Sequence, residues 1–164
     1  MEAEDIRWMD AALEEARRSG AEGEVPIGAL VVSGGTIVGR GANQVERLRD
    51  ALAHAEMRAI QAAQDRIGDW RLEGCTLYVT KEPCPMCAGA ALQTRISRIV
   101  YGVADPRLGA VESRWRLLEG TNRQVTVLGG MLAEESLSLL QSFFAEVRRR
   151  KKSVASAKGE RYLG

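Results

Sequence analysis

The chain has 164 residues, of which 45% are hydrophobic and 27% charged, enough for one compact domain with a sizeable core and too few for two ordinary ones. Its 23 Lys and Arg against 22 Asp and Glu leave a formal net charge of +1, which excludes a strongly basic protein that grips any nucleic acid through charge alone. The longest apolar runs, such as Ile27 to Val32, are far too short to span a bilayer, so no membrane partner is expected. The acidic start (Glu2, Glu4, Asp5) is the reverse of a secretory signal's basic one. One His and three Cys do not make a disulfide scaffold. They point to a reducing cytoplasm, with two close cysteines as candidate metal ligands.

In chain order, residues 5–18 read as a helix, because Ile6, Met9, Leu13 and Ala16 recur at helical spacing before Gly20 and Gly23. The β-rich run Val25–Val32, the turn Ser33-Gly34-Gly35 and the run Thr36–Val38 predict a hairpin. An Ala-rich helix is expected from Ala51 to about Asp65, with Asp50 as its N-cap. Cys75–Thr80 reads as a strand, Pro85 to about Thr94 as a short helix of small residues, and Ile96–Tyr101 as another strand. Gln124–Leu128 is a weaker strand candidate. A last helix starts near Leu132 with Ala133, Leu137, Leu140, Phe144 and Val147 as its apolar face.

Helices between the later strands and a hairpin at the start argue for an α/β architecture, with helices packed on a mixed sheet. We expect a single domain over residues 1–152, with 153–164 as a C-terminal tail poor in large apolar side chains. Charge is uneven along the chain: residues 1–24 hold eight acids and three bases, and residues 148–158 hold six bases and no acid. The basic run reads either as a solvated helix end, where cations also suit the helix dipole, or as an arm that contacts phosphates.

The chemistry-bearing residues are His54-Ala55-Glu56 and, thirty positions after His54, Pro83-Cys84-Pro85-Met86-Cys87. A Cys-x-x-Cys at a turn entering a helix can place two thiolates on one zinc, and His54 supplies a third ligand. No fourth ligand stands out, since there is no other His and Cys75 reads as a core strand residue. Three protein ligands leave one coordination position for water, the pattern of a catalytic zinc. Cys87 in the first turn of a helix also has the dipole to hold its thiolate. Glu56, two residues from His54, can face the same site only near a helix start, which suits an acid/base group beside the metal. Separately these signals are weak, since a lone Cys-x-x-Cys is often a redox pair and a lone His is usually just packed. His-x-Glu followed by Pro-Cys-x-x-Cys is together the known signature of zinc nucleobase deaminases.

On these residues the chain resembles the cytidine-deaminase-like superfamily, and within it the bacterial tRNA-specific adenosine deaminases. The resemblance runs from the first helix to about Arg150. Its pieces are Glu24–Ala29, Asn43, Ala53–Glu56, Thr76–Thr80, Glu82–Ala90, Arg95–Gly102, Asp105 with Gly109-Ala110, Leu139-Leu140 and Phe143-Phe144. The resemblance implies a three-layer α/β/α fold around a mixed sheet of about five strands. It implies one zinc ion per chain on His54, Cys84 and Cys87, with Glu56 shuttling protons. It gives Asn43, the backbone around Gly28 and Ala29, the Glu82-Pro83 segment, Asp105 and Phe144 to substrate binding. It further implies a homodimer that converts the wobble adenosine of a tRNA anticodon loop to inosine.

The sequence departs from that pattern outside the zinc motif. Glu112-Ser113 stands where Gly-Ser is usual, and Asn122-Arg123 where Asn-His is usual. Ala145 follows Phe143-Phe144 where a base is usual, and Asp50-Ala-Leu-Ala53 replaces Asp-Pro-Thr-Ala. Together with the near-neutral charge, these changes keep open a second substrate class, a small-molecule nucleobase or nucleoside such as guanine, cytosine or a related ring. A non-catalytic zinc fold is a third reading, against which Glu56 stands.

Overall fold

A computed structural model of the chain describes residues 2–160. Ten elements follow in chain order: α1 (Glu2–Ala21), β1 (Gly28–Ser33), β2 (Thr36–Ala42), α2 (Val45–Leu48), α3 (Ala55–Ile67), β3 (Thr76–Lys81), α4 (Pro85–Gln93), β4 (Arg98–Val103), β5 (Thr126–Leu128) and α5 (Ala133–Glu160). The strands form one five-stranded sheet in the order β2-β1-β3-β4-β5. β1 pairs antiparallel with β2 and β3, whereas β3, β4 and β5 run parallel. This is the mixed sheet the sequence predicts.

Strand alternation divides the core into two layers. Leu30, Val32, Tyr78 and Val100 point to the face covered by Trp8, Met9 and Ala12 of α1 and by Met131 and Leu132 at the start of α5. Val31, Leu77, Val79 and Ile99 point to the other face, where Ala59, Ile60 and Ala63 of α3 meet Ala88 and Ala91 of α4. Cys75 is buried just before β3, a core residue as expected. No described helix is long and apolar enough to cross a membrane.

One close approach fixes α3. A Cβ on Gly39 would lie 2.1 Å from the Ala59 carbonyl oxygen, and one on Gly41 would lie 2.1 Å from that of Ala55. Only glycine lets α3 lie this near β2, and the alanines facing it keep the helix slim. The helix that carries Glu56 is therefore seated directly on the sheet.

Three expectations are corrected. α3 begins at Ala55 with His54 as its N-cap, and not at Ala51 behind Asp50. The Asp50 carboxylate instead accepts the Leu52 N–H at 2.9 Å in a local turn, and a one-turn helix, α2, occupies the stretch before it. The apolar face expected on α5 is covered only in part: Ala133, Leu140 and Val147 are half-buried, Leu137 and Phe144 are exposed, and Ser136 is the buried residue. α5 also continues as helix through residues 153–160, with the side chains of 153–156 exposed; residues 161–164 lie outside the described part.

Candidate active site

Two helix starts meet at the C-terminal end of β3. Cys84 is the N-cap of α4 in an extended conformation, with Pro85 opening the helix, so Cys84 and Cys87 lie one turn apart on the same side. His54 is the N-cap of α3, also extended, and Glu56 follows in the first helical turn. The cap geometry explains how residues two apart share one site, since His54 has not yet joined the helix.

His54 Nδ1 lies 3.6 Å from Cys84 Sγ and 3.6 Å from Cys87 Sγ. All three ligand atoms fall within 4.8 Å of one another, the group of His, Cys, Asp and Glu side chains that could hold a metal among the described residues. A tetrahedral zinc with about 2.3 Å to sulfur and about 2.05 Å to nitrogen requires S···N edges of about 3.6 Å. The donor set and its spacing therefore fit zinc. The Cys84 thiol is pushed down to about 4, by its hydrogen bonds from Cys87 first and from His54 next. Cys87 is pushed up, by Cys84 and by its own burial. The pair thus already carries one thiolate, the form that binds metal.

A cavity of about 260 Å³ opens on this cluster, lined by His54, Cys84, Glu56, Asn43, Lys81 and Leu108 among others. Glu56 is 4% exposed, and burial pushes its carboxyl above the ordinary range. A buried carboxyl with raised proton affinity beside a metal ligand set is equipped to accept and return a proton.

A family model for the zinc-binding region of cytidine and deoxycytidylate deaminases matches residues 2–103. The chain belongs to that deaminase family. It is 45% identical over 153 residues to the tRNA-specific adenosine deaminase of Bacillus subtilis (strain 168), covering 92% of this chain and 95% of that one. It is 43% identical over 148 residues to the protein of the same name from Agrobacterium fabrum, covering 89% and 97%. A solved structure from a study of A-to-I editing by tRNA:A34 deaminases superposes with a TM-score of 0.78 at 43% identity, over 82% of this chain and 99% of that one. A guanine deaminase from Nitrosomonas europaea superposes at 0.73 with 26% identity, over 85% and 84%.

Several substrate residues expected of this deaminase reach the cavity and others do not. Asn43 is buried in its wall, donating Nδ2 to the Val25 carbonyl at 3.3 Å, and its Oδ1 has no hydrogen bond among the described residues. Gly28 and Ala29 stand back from the wall. Gly28 packs under α1, where a Cβ would lie 2.0 Å from the Ala12 carbonyl oxygen, and its N–H goes to Thr80 Oγ1 at 3.2 Å. Ala29 is paired within the sheet on both sides. Glu82 reaches the cavity, but its carboxylate is taken up by the Asp105, Glu112 and Ser113 N–H groups at 2.9 Å each and by the Ser113 hydroxyl. Pro83 is buried behind it, accepting the Ala110 N–H at 2.8 Å. Asp105 is set back too. It pairs with Lys81 and accepts the Arg107 and Leu108 N–H groups, so it aims two residues that do line the cavity, Lys81 and Leu108. Phe144 is 43% exposed on α5, stacked edge-on against Phe143.

The structure adds Glu24, Lys81 and Leu108, for which the sequence reading assigned no role. Glu24 is 1% exposed and accepts the Glu46 and Arg47 N–H groups at 3.1 and 2.7 Å, capping α2 over the cavity. Its place before Val25-Pro26 was visible, but its long-range partners were not.

Proposed function

We propose that this deaminase hydrolyses the amino group of the wobble adenosine in a tRNA anticodon, releasing ammonia and leaving inosine. The observation that carries the reading is Glu56, buried with raised proton affinity in the cavity that His54 and Cys84 line, beside the His54, Cys84 and Cys87 cluster. His54, Cys84 and Cys87 would hold one zinc ion per chain, which would supply Lewis acidity and make hydroxide available near neutral pH. Glu56 takes the two protons of the attacking water in turn, delivering one to the ring nitrogen and one to the amino group that departs as ammonia. The low-dielectric surroundings that raise its pKa favour each neutral form of the carboxyl. Asn43 Oδ1 offers an acceptor to the base, and Leu108 covers its outer side. An anticodon loop is single-stranded, so its base can be splayed into such a cavity at modest cost.

Three of the four departures that favour a free base stand away from the chemistry; the fourth, Asp50-Ala-Leu-Ala53, directly precedes His54. Glu112 accepts the Tyr101 hydroxyl at the rear of its loop and does not line the cavity. Arg123 lies with Ser97 and Arg95 before the parallel strands, at the opposite end of the sheet. Ala145 is exposed on α5.

A homodimer belongs to the same reading, supported by the exposed Leu48, Leu52 and Leu108, 46%, 59% and 53% exposed, which a second chain would cover beside the cavity; light scattering at twice 17.9 kDa tests it. A cytoplasmic place of action follows from the substrate. We take residues 1–152 as one catalytic domain and the remainder as an appended segment. The deciding experiment measures inosine in an anticodon stem-loop by mass spectrometry alongside ammonia from a panel of free purines and pyrimidines. Inosine in the RNA, abolished in Glu56→Gln, is expected; turnover of free bases with no inosine in RNA would sink the reading.

A further inference from the structure

A second recess, outside the catalytic cavity, lies along the free edge of the sheet. Its volume is about 470 Å³, and Arg18, Arg40 and Arg58 line it, with Gln44, Gln61 and Asp65. The three arginines come from three elements on different sides of the sheet: α1 on one face, α3 on the other and edge strand β2 between them. Two of them are held in place by one carboxylate. Glu15, its side chain 6% exposed, binds Arg18 through one oxygen and Arg40, at 3.3 Å, through the other. The two arginine side chains remain 61% and 51% exposed, and each gives Glu15 only one of its guanidinium nitrogens. Arg58 donates one N–H to Gln61 at 3.3 Å. Glu15 and Asp65 do not cancel three fixed cations, and the recess stays positive in a chain whose net charge is only +1.

The recess shares a wall with the active site. Gln44 lines it, while its chain neighbours Asn43 and Val45 line the catalytic cavity. α3 likewise presents His54 and Glu56 to the cavity and, one turn on, Arg58 to the recess. A strand whose base occupies the cavity has its backbone within reach of this edge. Planar guanidiniums pinned by a buried carboxylate lose little freedom on taking a phosphate, which is the ligand their fork geometry matches.

We propose that Arg18, Arg40 and Arg58 form a phosphodiester-binding site for the RNA strand flanking the target nucleotide. The site rests on the RNA reading above, and makes the edge of β2 the track on which the substrate backbone lies. Arginines on an edge strand can also serve only to block pairing with another sheet, and the test separates the two roles.

The test compares the parent with Arg40→Gln/Arg58→Gln, leaving Arg18 to satisfy Glu15, and with Arg66→Gln, which removes one positive charge from the far end of α3, outside the recess. Binding of a fluorescent anticodon stem-loop is titrated across salt, with thermal unfolding to verify the fold. Each lost single-strand phosphate contact lowers the log–log salt slope by about 0.7, so the double variant should be shallower by about 1.4. Over a fourfold rise in salt it should therefore lose roughly sevenfold less affinity than the parent, while Arg66→Gln follows the parent. An unchanged slope overturns the proposal. So does an unchanged slope with new self-association, which would make the arginines edge guards. Phosphorus NMR that finds inorganic phosphate on the recess while the RNA slope is unchanged overturns it as well. Deamination by a parent with an unchanged variant slope refutes the recess alone. A shallower variant slope with no inosine formed by the parent refutes the functional reading and leaves the recess standing.

Discussion

Glu82 is the residue whose assignment the structure changes most, and Glu82→Gln tests the change. The sequence resemblance gives it to the pocket; the structure makes it the anchor of the loop that holds Asp105, Leu108 and Ser113. It is 2% exposed. Burial pushes its carboxyl up, but the Ser113 hydroxyl and the Asp105, Ser113 and Glu112 N–H groups outweigh burial and hold it below its ordinary value. Gln keeps one oxygen, so the two bonds made by Oε1 survive as neutral ones. The amide nitrogen replaces Oε2 and turns a donor toward the buried Asp105 N–H. A hydrogen bond to a charged group contributes about 1.5–3 kcal/mol. Two weakened and two lost bonds give a destabilisation of about 3 kcal/mol, which for a chain this size is roughly 6–12 °C in Tm. Calorimetry reads the shift, and metal analysis with steady-state kinetics reads the site. We expect the Tm drop, full zinc content and a raised KM, because Leu108 over the cavity loosens while Glu56 and the ligands stay. A Tm equal to the parent's with collapsed kcat would refute the anchor and return Glu82 to the substrate. The sign with pH follows: a depressed carboxyl contributes stability above its unfolded pKa, and this is lost as pH falls through the folded value.

Other outcomes follow from the same geometry. Glu56→Gln should keep one zinc per chain and lose turnover by about 10²- to 10⁴-fold, measured by metal analysis and inosine formation. Cys84→Ala should lose the metal and part of the thermal stability, because binding at three ligands is coupled to folding; a chelator should do the same to the parent. Gly41→Ala should cost about 3 kcal/mol in urea unfolding, since its Cβ meets the Ala55 backbone at 2.1 Å. Asp5 takes two bonds from Arg98, at 2.6 and 2.8 Å, and one from Tyr78 at 2.7 Å. The Arg98 bonds chiefly hold its carboxyl below its ordinary value near 3.8. The stability it lends is complete above that ordinary value and disappears as pH falls through the lower folded one. Asp5→Asn should therefore be less stable than the parent at neutral pH, with the gap closing in acid unfolding curves.

The sequence by itself marked out the candidate metal site. While the meeting of the two pairs, thirty positions apart, is the work of the fold, His54 with Glu56, and Cys84 with Cys87, sit at helix starts where short-range spacing sets each pair on one side. The mixed sheet was legible for a similar reason: strand and turn composition repeats locally. Helix boundaries failed where a local turn competed, as at Asp50, and the covered face of α5 was read only in part because its partners, α1 and β4, are remote in sequence. Only the tertiary structure could tell a lining residue from a supporting one. Glu82 carries a pocket motif yet spends its oxygens on loop amides more than twenty positions away, and Asp105 spends its own on the nearby Arg107 and Leu108 amides and on the distant Lys81 ammonium. Glu15, Arg18, Arg40 and Arg58 look like ordinary surface charges until the sheet edge gathers them. Hydrogen-bond partners and charge clusters of this kind depend on long-range packing, and no periodicity along the chain encodes it.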